Sequence, residues 1–354
     1  MKTSCFIFFA LLTISLFAQN QNDFEFTTTE INGNQSIIIT KYIGNNVNVK
    51  LPEYINGIRV TAIGERAFEQ SNIKTIEISN SVISIGMRAF SGCQELTTVL
   101  FSASVTNLGR DASIRTGTNA NQRLEAADIN GQTAIRHIDN VSGSGGQLGN
   151  YGLDLIFDGC SKLTAINVDP NNSNYYSNDG VLFNKQMTVL LFYPHGKEGN
   201  YNIPNSVLEI AEGAFFNCRQ LTSVFFSENV KKIGMFNFFF CPLITSFNVD
   251  VNNKNFKSEN GVLYNYNKDE LIRFPSGKKG YFRVPDFVKI IGHGAFFGCG
   301  SETTVHIYFN NITQINQGGL AGFNFGNLQE QLKNRFPMVF DLPMDIVFLF
   351  DGGA

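Results

Sequence analysis

Few residues in this sequence have side chains that could perform chemistry, and they lie outside the motifs that catalysis requires. Nucleophilic or acid–base catalysis needs a nucleophile and a base, or paired carboxylates, brought together. The 354 residues contain no Gly-x-Ser-x-Gly elbow, His-Glu-x-x-His zinc site or phosphate-binding glycine loop. The four histidines belong to no catalytic motif: His137, His195, His293 and His306. We therefore expect no catalytic residue and no enzymatic activity, and we interpret His195 and His293 as variable turn residues.

Five of the six cysteines share one local motif, because each follows a phenylalanine by three positions. The pairs are Phe90/Cys93, Phe157/Cys160, Phe215/Cys218, Phe238/Cys241 and Phe296/Cys299. A residue type fixed to one repeat position is typical of a small buried side chain, so free thiols are expected. The alternative is a disulfide, for which Cys218 and Cys241 are the one suitable pair, since they lie one repeat apart. No Cys-x-x-Cys pair or Cys/His cluster predicts zinc.

Two clusters of Asp and Asn offer oxygen ligands that calcium would accept. They are Asp169-Pro170-Asn171-Asn172 and Asp250-x-Asn252-Asn253. Both recur at the same place in a repeat, where side-chain capping of a turn explains them without a metal. The turn interpretation is favoured, and we expect no metal and no cofactor.

The elements that position these residues follow from a repeated pattern. A short strand precedes Val-x-x-Ile-Gly-x-x-Ala-Phe-x-x-Cys, and another strand follows. The step from Phe68 to Phe90 is nearly the same length as the step from Phe215 to Phe238. A short, nearly constant period is typical of a solenoid, in which each coil buries its apolar face only against its neighbours. The phenylalanines and cysteines, from Phe68 to Cys299, are then a structural ladder.

A second module lies within the two longer steps of the ladder. Asn171-Asn172-x-Asn174-Tyr175 through Gly180-Val181-Leu182-Phe183 recurs further along the chain as Asn252-Asn253-x-Asn255-Phe256 through Gly261-Val262-Leu263-Tyr264. Tyr193-Pro194-x-Gly196-Lys197 recurs at the same offset as Phe274-Pro275-x-Gly277-Lys278. These patterns predict strands separated by tight turns.

The ends of the chain differ from the repeats. Lys2 precedes an apolar run from Phe6 to Phe17 that stops at Ala18, as in a secretory signal peptide, and no later stretch is apolar enough to span a membrane. An array of strands needs caps at its ends. The predicted segments are a signal peptide (1–18), an N-terminal β cap (19–50), the solenoid (51–325, with an irregular insert at about 107–152) and a C-terminal cap or tail (326–354).

The strand that follows each cysteine supplies the candidate binding surface. Alternation along a strand directs Val99, Ile166, Val224 and Phe247 inward. The outward positions then include six candidate binding residues: Thr98, Leu100, Asn167, Ser223, Phe225 and Asn248. Leu100 and Phe225 add apolar area to an otherwise small and polar face. A solvated sheet with no partner is the equally weighted alternative.

The two alternating patterns resemble the BspA-like leucine-rich repeat family, over about residues 24 to 325. The resemblance implies an α/β solenoid: a β-rich, right-handed leucine-rich repeat coil with short helical turns and interleaved β-hairpin modules. It also implies a secreted or cell-surface protein that adheres to extracellular matrix proteins such as fibronectin or fibrinogen.

The leading hypothesis is therefore an exported, non-enzymatic protein that binds host or cell-surface macromolecules. A net charge of −3 and a pI near 5.9 argue against nucleic acid as a partner. Three alternatives remain. They are a glycan-binding module that uses Tyr175, Tyr176, Tyr193 and Phe274, a self-associating envelope protein, and an enzyme built into the insert.

Overall fold

The computed structural model describes residues 20–31, 33–109, 152–299, 303–307 and 311–321. The predicted signal peptide, nearly all of the insert, the tail from 326 and His137 lie outside the described residues. The boundaries assigned to caps and insert therefore remain predictions. Among the described residues, no helix is long and apolar enough to cross a membrane.

The described residues form short strands joined by turns. A 3-10 helix, Gln21–Asp23, precedes the first strand, and one α-helix, α1 (Gly152–Phe157), follows the ninth. The strands in chain order are β1 (Phe24–Ile31), β2 (Asn34–Tyr42), β3 (Asn48–Lys50), β4 (Tyr54–Ile55), β5 (Ile58–Ile63), β6 (Thr75–Glu77), β7 (Ser84–Ile85), β8 (Thr98–Phe101), β9 (Asn107–Leu108), β10 (Ala165–Val168), β11 (Tyr175–Asn178), β12 (Val181–Asn184), β13 (Val189–Phe192), β14 (Gly199–Asn202), β15 (Glu209–Ile210), β16 (Leu221–Phe226), β17 (Lys232–Ile233), β18 (Ser246–Val249), β19 (Phe256–Glu259), β20 (Val262–Asn265), β21 (Glu270–Arg273), β22 (Gly280–Arg283), β23 (Ile290–Ile291), β24 (Thr303–His306) and β25 (Gln314–Ile315).

These strands stack as the coils of a β-solenoid with two walls. The front wall consists of three parallel sheets, with strand orders β10-β8-β6-β3, β14-β16-β18 and β22-β24. The back wall also consists of three sheets, β1-β2-β5-β7-β9, β11-β12-β13-β15-β17 and β19-β20-β21-β23-β25. Each regular coil gives one strand to each wall, because one repeat of the sequence closes one turn and returns in register with the next. The predicted stacking of coils is confirmed.

The prediction of an α/β fold with short helical turns is wrong. The Ala-Phe-x-x-Cys segments are turns whose backbone N–H groups alternate between local bonds and bonds to the next coil. Phe68 N–H donates to Ala89 O at 2.8 Å and Gln70 N–H donates to Ser91 O at 2.7 Å. Arg66 and Gln70 have φ of 57° and 58°, a left-handed conformation that interrupts a helix. The segment therefore forms ladder bonds along the solenoid instead of the i to i−4 bonds of a helix.

A column of buried rings and thiols fills the space between the walls. Ring centroids are 5.4 Å apart for Phe68 and Phe90, and 5.6 Å apart for Phe90 and Phe157. The thiol of Cys93 donates to Phe68 O at 2.9 Å, and the thiol of Cys160 donates to Phe90 O at 3.1 Å. The cysteines are free thiols, as expected from their repeat position: Cys93, Cys160, Cys218, Cys241 and Cys299. The Cys218–Cys241 disulfide alternative is thus not adopted.

The first module (residues 171–204) and the second module (252–285) each insert a hairpin between coils. In the first, β11 and β12 pair antiparallel, β13 pairs with β12, and β13 then pairs parallel with β15 of the next coil. The second module repeats this arrangement with β19, β20, β21 and β23. Each module therefore separates two sheets of the front wall, and its hairpin begins a new sheet of the back wall.

Candidate binding surface

The front wall presents its side chains in columns because neighbouring strands are parallel and in register. Val99 pairs with Ile166, and Val224 pairs with Phe247. All four side chains are buried, as strand alternation predicts. Their outward neighbours on either side form the two columns that contain the predicted binding residues.

The first column contains Thr98 and Ser223. Thr98 pairs with Ala165 in the sheet before the first module, whereas Ser223 pairs with Ser246 in the sheet after it. Both Thr98 and Ser223 are half-buried. Ser223 Oγ donates to Asn200 Oδ1 at 2.8 Å, so part of its hydrogen-bonding capacity is already used within the wall.

The second column contains the other four predicted residues. Leu100 lies beside Asn167, and Phe225 lies beside Asn248. Leu100 is 40% exposed, Asn167 and Asn248 are exposed, and Phe225 is half-buried. The apolar side chain in each pair is therefore flanked by an amide that can exchange hydrogen bonds with a partner.

The six predicted residues form two groups rather than one continuous surface. Thr98, Leu100 and Asn167 belong to the four-stranded sheet, and Ser223, Phe225 and Asn248 belong to the three-stranded sheet. The first module lies between the two sheets. Aligning the strands in the sequence predicts which side chains point outward. It does not predict the division into two groups, because it does not show where the hairpin lies in the fold.

An ion pair in the same column as Leu100 was missed from the sequence. Lys50 Nζ lies 2.6 Å from Glu77 Oε1, and Glu77 pairs in register with Leu100. Both charged side chains are largely exposed, so the pair contributes little to stability. It does place a positive and a negative group next to the exposed leucine. Extending the strand alignment back to Val49 would have identified it.

The groups that could do acid–base chemistry are buried rather than displayed on this surface. His195 lies in a turn, as predicted, but it is buried against Phe192 at a ring distance of 5.1 Å. Burial, together with a smaller effect from nearby Arg219, lowers the pKa of His195 to about 4, so its ring is neutral near pH 7. Burial likewise lowers the pKa of His293. Within the described residues, no group of three or more His, Cys, Asp or Glu side chains is arranged to hold a metal ion.

The thiols are also embedded in the fold. Burial raises the pKa of Cys160, and it raises the pKa of Cys299 to about 12 despite the opposing effect of Arg273. A thiol with a raised pKa is mostly protonated and therefore a poor nucleophile. Cys160 packs in the ring and thiol column and donates a weak hydrogen bond to Phe90 O.

The Asp and Asn clusters cap turns. Asn172 and Asn253 are completely buried. Asn172 Oδ1 accepts from the N–H groups of Asn174 and Tyr175 at 2.9 and 2.8 Å. Its Nδ2 donates to Ser102 O and Val105 O in the preceding coil at 2.9 and 2.8 Å. Asn253 makes the equivalent bonds in the second module. Each amide thus satisfies a turn and binds two coils together, which is the structural role favoured from the sequence.

Several solved structures align with most of this chain at low sequence identity. No curated protein sequence matches the chain. Solved structures that align with it include the pneumococcal vaccine antigen PcpA (15% identity, 91% of this chain and 97% of that chain, TM-score 0.45). A leucine rich cell surface protein from Faecalibacterium prausnitzii aligns at 17% identity (79% and 94%, TM-score 0.31). The T. pallidum leucine rich repeat protein aligns at 16% identity (91% and 99%, TM-score 0.31).

The family assignment depends on a separate observation. The model of the BspA type leucine rich repeat region matches in six copies, over residues 20–121, 185–279 and 273–332. These matches span well over half of the chain and include strands of both modules. The chain therefore belongs to the BspA type leucine-rich repeat family.

Proposed function

We propose that the chain is an exported, non-enzymatic protein whose front wall binds a protein ligand at a cell surface or in the extracellular matrix. The observation that carries this proposal is the column around Leu100. An exposed leucine there is flanked by an amide on one side and an ion pair on the other. Protein interfaces combine a small apolar centre with a polar rim in this way.

The extended wall suits a macromolecule better than a small metabolite. Leu100 and Phe225 lie in separate sheets, so a partner that contacts both must reach across the first module. A standard protein interface buries about 800 Å² on each partner. Membership of a leucine-rich repeat family supports the same conclusion, because stacked repeats form extended binding surfaces.

Surface plasmon resonance with immobilised fibronectin, fibrinogen and other matrix proteins tests the proposal. Leu100→Asp and Phe225→Asp should each weaken binding at least about tenfold, the loss of about 1.4 kcal/mol expected when an interface centre is disrupted. Leu208→Asp is the matched control, because Leu208 is 38% exposed but precedes a back-wall strand. Equal binding by all three variants, or no binding to any matrix protein, would contradict the proposal.

Export is tested independently by fractionating the source cells and sequencing the N-terminus of the recovered protein. The proposal expects a mature chain that begins near Gln19 outside the cytoplasm. Recovery of an intact N-terminus from the cytoplasm would refute it. Light scattering then addresses the self-association alternative, for which a concentration-dependent increase in mass would be the supporting result.

A further inference from the structure

The first strand leaves one edge of the back wall open. Among the described strands, β1 pairs only with β2, so the other side of β1 has no neighbouring strand. β1 has eight residues, whereas the other described strands at the two ends of the solenoid are shorter: β3 has three, β24 has four and β25 has two. A long open edge exposes a row of backbone N–H and C=O groups that can pair with another strand.

β1 also lacks the features that keep an open edge from pairing. Proteins protect such strands with proline, with lysine or with a bulge that twists the edge away. The sequence of β1, Phe-Glu-Phe-Thr-Thr-Thr-Glu-Ile, contains no proline and no basic residue. Its register with β2 is continuous from Phe26 to Ile31, after one bulge near its start. β3, by contrast, carries the largely exposed Lys50. The edge of β1 is therefore suited to strand addition.

The hydrogen bonds of β2 show which backbone groups of β1 point to the open edge. Ile39 O accepts from Gly64 N–H of the next coil at 2.7 Å, so the backbone groups of Ile39 point away from β1. Phe26 lies opposite Ile39. Opposite residues of an antiparallel pair either bond to each other or both point away, and the two kinds alternate. Phe26, Thr28 and Glu30 therefore direct their N–H and C=O groups to the open edge.

We propose that two copies of the chain form a dimer by antiparallel pairing of β1 with β1, centred on Thr28. In this register Thr28 lies opposite Thr28 of the partner subunit, and Phe26 lies opposite Glu30 of the partner subunit. All three residues that face the open edge then belong to hydrogen-bonded pairs, which gives about six backbone hydrogen bonds.

The side chains of β1 fit the same register. Glu25 lies opposite the partner's Ile31, and Thr27 lies opposite the partner's Thr29. Cross-strand threonine pairs stabilise a sheet, whereas like charges directly opposite destabilise it. A shift of one residue would place Glu25 opposite the partner's Glu30 and would also mismatch the backbone groups. β1 is thus complementary to itself, which favours a second copy as its partner.

This pairing is closed and leaves the front wall free. A two-fold interface uses the same strand on both copies, so assembly stops at two chains. The first front-wall sheet ends at β3 and does not include β1. The dimer therefore presents two front walls, and two linked binding surfaces hold a shared target more tightly than one. The dimer goes beyond the proposed function and differs from the open-ended growth of a self-associating envelope protein.

Sedimentation equilibrium of the chain that begins at Gln19, the form left by the proposed export, tests the dimer from about 1 to about 200 μM. The mass should rise to that of two chains and stop there. A Kd on the order of 10 μM is reasonable for a small interface made by one strand pair. Thr28→Pro should remain a monomer throughout, because the proline removes an N–H group that points to the open edge, a position where proline is tolerated.

A pair of charged variants tests the register. Thr28→Lys and Thr28→Glu should each weaken dimerisation several-fold, because each places like charges directly opposite at the centre. An equimolar mixture of the two should dimerise at least as tightly as the native chain. Thr40→Lys is the matched control and should dimerise normally, because Thr40 is exposed but lies on β2, which has neighbours on both sides.

The thermal midpoint of each variant, measured at a concentration where the native chain is a monomer, should equal the native value. Four results would overturn the proposal: a native chain that stays monomeric, a mass that grows beyond two chains, native dimerisation by Thr28→Pro, or a mixture that pairs no better than either charged variant alone. Leu100→Asp should leave the dimer unchanged, so failure of the dimer is separate from failure of the front-wall function.

Discussion

Replacing Asn172 by alanine should destabilise the solenoid strongly, although the side chain is neither apolar nor charged. Its amide satisfies four backbone groups: the carbonyls of Ser102 and Val105 and the N–H groups of Asn174 and Tyr175. Removing the partner of a buried polar group costs about 1–3 kcal/mol. Four such groups, each at the lower end of that range, give an expected loss of about 4 kcal/mol.

Urea unfolding followed by circular dichroism measures this loss. Stacked repeats can unfold in steps, so the quantity to compare is the first transition of each protein. Asn171→Ala is the control, because Asn171 is exposed, and its change should stay within about 0.5 kcal/mol. Asn253→Ala should lose about as much stability as Asn172→Ala. A loss below about 1 kcal/mol would refute the role assigned to the amide. So would a large stabilisation by calcium, since all four hydrogen-bonding positions of this amide are occupied.

Three further predictions concern buried groups. The lowered pKa of His195 means that the unfolded chain binds a proton first as the pH falls, so stability should decrease from about pH 6.5 to about pH 4. This loss should approach about 3 kcal/mol. The variant His195→Ser, which copies Ser276 of the second module, should not show it. If the native protein and this variant lose stability equally as the pH falls, His195 is not the group responsible. Phe90→Ala should cost about 3–5 kcal/mol by opening a cavity in the ring column, and a loss under about 1 kcal/mol would show a loosely packed column. Maleimide should label Cys160 in urea but not in the native protein at pH 8, because its thiol is buried and protonated; rapid native labelling would contradict this.

The repeat length predicts the solenoid well because it is a geometric constraint. Phe68 and Phe90 are one coil apart in sequence, and their rings are in contact in the structure. Strand alternation also places Val99 inside and Leu100 outside correctly. Both inferences depend only on the period of the chain and the pleat of a strand, which side-chain details rarely alter.

Other features depend on backbone conformation that residue types do not reveal. Arg66 and Gln70 adopt positive φ although neither is glycine, and these two residues turn a predicted helical segment into a hydrogen-bonded ladder. The burial of His195 depends on contact with Phe192 from the first module. In the second module Arg273 takes the position of Phe192 and is buried, with its guanidinium 4.2 Å from the Phe239 ring. The repeat pattern does not predict that Arg273 is buried or that it packs on Phe239.

The division of the binding surface also depends on backbone placement that residue types do not reveal. The sequence identifies the hairpin of the first module, but only the fold shows that it separates β10 from β14. That separation splits the candidate binding residues into two groups.

The stacking of coils in register is tested most directly by a distance across the front wall. Glu77 and Asn167 are far apart in sequence, yet each pairs with Leu100, so they lie two strands apart in one column. Spin labels on Glu77→Cys and Asn167→Cys should be about 10 Å apart at their attachment points, twice the strand spacing. Strong dipolar broadening in the electron paramagnetic resonance spectrum is the predicted result. A spectrum equal to the sum of the two singly labelled proteins would contradict the account.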